Sequence, residues 1–162
     1  MSRPAPRFKD ALDVLARHDV DFVVVGGVAA VLAGAPISTF DLDIVPARGP
    51  ENLVRLIAAL SEIDARYRDL TGRILRPDVQ GLAGTGHHLL LTTCGPVDVL
   101  GTIGQGDGYD QLISDVVELQ IGNYRVRTLG LAALIRTKEA AGRAKDLAVL
   151  AVLRRTLEES TK

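Results

Sequence analysis

Tryptophan is absent from this 162-residue chain, aromatic residues make up 4% of it, and its one cysteine stands at position 94. With so few rings, the core has to be built from aliphatic side chains, which dominate the 47% hydrophobic content. A lone cysteine excludes an internal disulfide and offers no zinc spacing, so Cys94 is expected to be a small buried hydrophobe. No segment approaches the roughly 18 consecutive apolar residues of a membrane span, and the opening "MSRPAPRFKD" has no apolar signal core. A cytoplasmic protein without a membrane partner is therefore expected. An excess of one charge is also missing. Nineteen Lys and Arg face twenty Asp and Glu, so no global field argues for a polyanion surface. His18, His87 and His88 have no acidic or Cys neighbours at ligand spacing and are expected to be surface or strand residues.

What is present is a succession of short α and β elements without internal repeats. Phe8, Leu12 and Leu15 fall at helical spacing. The β-branched run "FVVV" (22–25) has the composition of a central strand and stops at Gly26-Gly27. "VAAVLAGAP" predicts a short helix, so strands 1 and 2 are expected to be linked by a short crossover. The second strand is expected over "TFDLDIV", followed by a helix whose stripe is Leu53, Leu56, Ile57 and Leu60. Residues 64–86 are expected to be irregular. "HHLLLTT" and "PVDVL" predict neighbouring strands, "VVELQ" and "YRVRT" a hairpin around "IGN", and the tail from Leu131 two helices broken near Gly142. The expectation is one α/β (α+β) domain over 1–162: an N-terminal helix (1–19), a mixed β-sheet core with helices packed on it (20–128) and a C-terminal helical pair (129–162).

The chemistry concentrates in "FDLDIV" (40–45). Side chains alternate along a strand, so Asp41 and Asp43 share one face with Thr39, while Leu42 and Ile44 point to the core. Two such carboxylates, about 7 Å apart by the strand rise, repel each other unless a cation lies between them, and a hard divalent ion is the natural counter-charge. A solvated edge strand or salt bridges to arginines would also account for an isolated Asp-x-Asp. Gly26-Gly27 opens a helix after strand 1 and permits close approach of an anion such as a phosphate. Asp98, between Val97 and Val99, is a third carboxylate in an apolar strand, and it completes a cluster if that strand neighbours the first pair. Three carboxylates holding two metal ions suit in-line phosphoryl or nucleotidyl transfer. "LIRTKEAAGRAKDL" places Lys138, Arg143 and Lys145 within two turns; Lys138 is a candidate for triphosphate contact, and the alternative is a solvated helix face with Asp146 as a cap or ion-pair partner.

"VVVGGVAAVLAGAPISTFDLDIV", "VDVLG" and "KEAAGRAKDLAVL" together resemble a minimal nucleotidyltransferase of the DNA polymerase β superfamily, in particular the group that includes the bacterial AbiEii-type toxins. The resemblance implies Gly26 and Gly27 near the nucleotide phosphates, Asp41, Asp43 and Asp98 as ligands of two Mg²⁺ or Mn²⁺ ions, and Asp98 as base for the acceptor hydroxyl. Lys138, Arg143, Lys145 and Asp146 would form the tail element of such proteins, with nucleotide contact or site architecture as its role, and the nucleotide would be an NTP such as ATP or GTP. The acceptor would be a tRNA, a protein or a small molecule, and a cognate antitoxin would be a further partner. The chain departs from the pattern in having Gly27 where many relatives have Ser, with Ser38 or Thr39 as substitute hydroxyls, and Ile37 where a basic residue is frequent. The alternative is a catalytically silent nucleotide-binding or protein-interaction module of the same fold. A phosphatase with a nucleophilic Asp at a strand end leaves Gly26-Gly27 and Asp98 without a role.

Overall fold

The computed structural model describes residues 6–69 and 71–161. Helix α1 (Phe8–Arg17) buries Ala11, Leu12, Val14 and Leu15, the face its spacing predicts. The chain then enters β1 (Phe22–Val25), buried along its whole length, and turns directly into α2 (Gly26–Leu32) at the glycine pair. Strand β2 (Leu42–Pro46) follows, then α3 (Pro50–Glu62), which begins with proline in its first turn. Next come β3 (Arg66–Tyr67), the one-turn α4 (Val79–Leu82), β4 (His87–Thr92), β5 (Gly95–Leu100) and the one-turn α5 (Tyr109–Leu112). The hairpin β6 (Val116–Ile121) and β7 (Tyr124–Leu129) leads into α6 (Leu131–Ala141) and α7 (Ala144–Ser160). Gly142 breaks the last two helices in the left-handed conformation that glycine adopts without steric cost.

The seven strands form one mixed sheet in the order β3-β4-β5-β2-β1-β7-β6. β2 is the hub: it runs antiparallel to β1 and parallel to β5. The expected crossover between strands 1 and 2 is thereby corrected. A seven-residue helix and the extended segment behind it return the chain beside β1 in the opposite direction, and a parallel link would require a longer excursion over the sheet. The second strand also starts later than expected, at Leu42, so Asp41 lies in its lead-in. Residues 64–86, expected to be irregular, contribute the edge strand β3, paired antiparallel to β4.

The core is aliphatic: Leu42, Ile44, Val23, Val24, Leu56 and Leu90 are fully buried, each side chain stabilising by about 1.5–3 kcal/mol. Cys94 is buried among them, as its chemistry suggests. His18 hydrogen-bonds Glu62, His87 lies against the Thr102 carbonyl, and His88 Nδ1 lies 2.7 Å from the Tyr67 hydroxyl. His87 and His88 lie in β4, and His18 caps the C-terminus of α1. No described helix is long and apolar enough to cross a membrane.

Candidate active site

The parallel register of β2 and β5 sets Asp43 directly beside Asp98. Leu42 and Ile44 on one strand, Val97 and Val99 on the other, are buried on the opposite face, and their packing holds the two carboxylates in place. Asp43 Oδ1 is buried without a hydrogen-bond partner. A buried carboxylate oxygen left unpaired is costly, and the proton affinity of the site reflects this. Burial, with Asp98 and then Asp41 as like-charged neighbours, pushes the Asp43 carboxyl up to about 7, against a smaller opposing pull from Lys138. Burial also pushes Asp98 above the ordinary carboxylate range, and the Arg68 guanidinium offsets part of that rise. Two arrangements relieve Asp43: a proton shared with Asp98, or a cation.

Gly26 and Gly27 earn their places by proximity. Gly26 has φ of 66°, and a Cβ there would lie 2.4 Å from Asp43 Oδ2. A Cβ on Gly27 would lie 2.5 Å from Thr39 Oγ1 and 2.8 Å from Thr39 Cβ. The Thr39 hydroxyl therefore occupies the space that a side chain at position 27 would need. Thr39 is half-buried, and its hydroxyl reaches the Asp41 carbonyl at 3.5 Å.

Lys138 lies near the carboxylates. Its ammonium is 3.1 Å from Asp146, whose side chain is fully buried, and it is close enough to act on Asp43. Asp146 also accepts from Arg143 at 2.7 Å. Despite its burial, these hydrogen bonds hold the Asp146 carboxyl below its usual range. Arg143 thus pairs with Asp146 at the α6–α7 junction, and Asp146 links it to Lys138. Ser38 and Lys145 are exposed, and their side chains form no hydrogen bond or ion pair among the described residues, so nothing ties them to the carboxylates.

The residue missed in the sequence is Arg68. Following β3, it donates to the Asp98 carboxylate and, through Nε, to the Leu90 carbonyl at 3.2 Å. The only signal in the sequence was "ARYRD", where two arginines alternate as on one face of a strand.

The donor set fits a hard cation in kind: all the oxygens are carboxylate, one is buried and orphaned, and the pair on β2 and β5 faces one side. Among the described residues no three His, Cys, Asp or Glu side chains already converge at metal-binding spacing. Arg68 holds one carboxylate of the set.

The mixed sheet with its flanking helices is the nucleotidyltransferase fold. The lincosamide antibiotic adenylyltransferase LnuA, solved with lincomycin bound, is similar over 91% of this chain and 94% of its own, with a TM-score of 0.62 and 13% identity. A protein of Thermotoga maritima assigned by inference as a nucleotidyltransferase matches over 94% and 91%, with a TM-score of 0.57 and 18% identity. The antibiotic-resistance factor ANT(2'')-Ia matches over 93% and 82%, with a TM-score of 0.58 and 13% identity. No protein-family model and no curated protein matches the chain.

Proposed function

We propose that the protein is a nucleotidyltransferase that moves an NMP from an NTP to a hydroxyl of a small-molecule acceptor, with Mg²⁺ or Mn²⁺. The observation that carries this reading is the orphaned, buried Asp43 oxygen beside Asp98, in a fold shared with adenylyltransferases. Asp41, Asp43 and Asp98 would hold the ions, which supply charge neutralisation at the phosphates and activation of the acceptor hydroxyl. Gly26 and Gly27 leave room for nucleotide phosphates to approach, the Thr39 hydroxyl offers a hydrogen bond there, and Lys138 supplies positive charge held in place by Asp146. Asp98, once free of Arg68, accepts the hydroxyl proton. A small acceptor is favoured over tRNA or protein by the cavity that Asp41 lines and by the antibiotic carried by the neighbour LnuA. The AbiEii-type subgroup and a toxin–antitoxin role rest on the sequence resemblance alone.

The test is transfer of label from an α-labelled NTP, with pyrophosphate release measured in parallel. Asp41→Asn and Asp43→Asn are expected to abolish both; full transfer in either variant overturns the ligand assignment. One observation favours a silent module of the same fold: Arg68 already neutralises Asp98. Nucleotide binding with no pyrophosphate release from any NTP would select that reading.

A further inference from the structure

On the side of the carboxylates away from Gly26-Gly27 lies a cavity of about 830 Å³ lined by Asp41. The sheet order sets this geometry: β1 and the glycine pair flank β2 on one side, while β5, β4 and β3 continue on the other. The volume lies within the range of small-molecule sites, about 300–1,000 Å³. Part of the lining is apolar, from Leu91, Pro96 and Ile74, and of these Leu91 and Ile74 are well exposed. Four arginines, Arg7, Arg66, Arg68 and Arg73, also line the cavity, against two carboxylates, Asp41 and Asp69, among the described residues. Asp69 is engaged by Arg73 at 3.1 Å, and Arg7 lies 3.5 Å from Asp10 outside the cavity. Arg66 forms no ion pair among the described residues. Arg66 and Arg68, two residues apart, are spaced about 7 Å along the chain, so two planar guanidinium forks can bracket one anionic group.

We propose that this cavity is the acceptor site and that the acceptor is a small hydroxyl-bearing molecule with an apolar body and a phosphate monoester. The assignment rests on the nucleotidyl-transfer reading above and adds to it the charge class of the acceptor. A dianionic phosphate matches the net positive lining, whereas a cationic acceptor is repelled by it. The phosphate competes with Asp98 for Arg68, so acceptor binding itself frees Asp98. The acceptor oxygen then bonds to the α-phosphorus of the NTP. The bond from that phosphorus to the oxygen bridging the β-phosphate breaks, its electron pair leaves with pyrophosphate, and the hydroxyl proton passes to the Asp98 carboxylate.

The test uses four probes that share a ring and a primary hydroxyl: 4-(hydroxymethyl)phenyl phosphate, 4-(hydroxymethyl)benzoate, 4-methylbenzyl alcohol and 4-(aminomethyl)benzyl alcohol. Calorimetry on the full chain should give affinity at least about tenfold higher for the phosphate than for the neutral alcohol, with the carboxylate between them and the amine weakest. Arg66→Glu should erase that preference while changing Mg·ATP affinity by no more than about twofold, because Arg66 lies on the far side of the carboxylates from the glycine pair. Arg66 is exposed and forms no ion pair among the described residues, and circular dichroism checks that the variant folds. Equal binding of all four probes, preference for the amine, or insensitivity to Arg66→Glu overturns the inference. So does an equal loss of Mg·ATP affinity in Arg66→Glu, which would make the cavity a triphosphate site. The two readings fail separately. Asp43-dependent Mg·ATP turnover without a charge preference sinks the acceptor class alone, whereas phosphate binding without any Mg·ATP binding or turnover sinks the transferase reading, and the acceptor role with it.

Discussion

Asp43→Asn makes the clearest single perturbation, because the cost of the charged site can be worked out in advance. The Asp43 carboxyl is displaced from 3.8 to about 7, by burial first and then by Asp98 and Asp41. A carboxyl raised in this direction binds its proton more tightly in the folded chain than in the unfolded one. Its contribution to stability is therefore complete below the unfolded value near 4 and is lost as pH rises towards 7. Three pH units at about 1.4 kcal/mol each set a ceiling of roughly 4 kcal/mol, a large share of the 5–15 kcal/mol typical of a domain. Urea denaturation in the presence of a chelator, from about pH 4.5 to pH 8, checks this. The wild type should lose stability over that interval relative to Asp43→Asn, and saturating Mg²⁺ should restore much of it at the upper end. Parallel pH profiles for the two proteins, or a wild type that gains on the variant as pH rises, would refute the reasoning.

The glycine pair gives two further outcomes. Gly26→Ala, strained by its positive φ and by Asp43 Oδ2, should lose about 1–3 kcal/mol in denaturation and weaken Mg²⁺ binding. Gly27→Ala should lose a similar amount, about 1–3 kcal/mol, and Thr39→Gly in the same chain should return part of it; a double-mutant cycle without coupling would contradict the contact. Asp146→Asn should cost about 1–2 kcal/mol, less than a fully buried pair because Arg143 and Lys138 can rehydrate, and should raise the KM for NTP, since Lys138 loses its anchor. Cys94, buried in the core, should react with a thiol reagent in urea and only slowly in buffer, as absorbance at the released thiolate would record.

Much of the architecture was legible because local patterning and tertiary environment agree. "FVVV" is buried at all four positions, the hairpin closes at Gly122-Asn123, and Gly142 separates the last helices. The direction of β2 was not legible: a short helix followed by an extended segment can return a chain either way, and pairing with β5 decides it. β3 was hidden because two residues carry too little periodicity to register. At the site, Asp43 and its residue types could be singled out locally, but its position opposite Asp98 depends on a strand pairing between distant segments. Arg68 lay beyond reach for the same reason. It finds Asp98 only through the β3-β4-β5 ladder, and Thr39 finds Gly27 only through the fold of the segment between α2 and β2.

The placement of β5 beside β2 also bears on how the chain comes into being. Asp43 and Asp98 stand 55 residues apart in the chain, and only the pairing of β5 with β2 sets the two carboxylates side by side. That pairing brings like charges together, so a divalent ion able to bind there would act on folding itself. Refolding in Mg²⁺ should then accelerate in proportion to how far the β2–β5 seam is formed at the transition state.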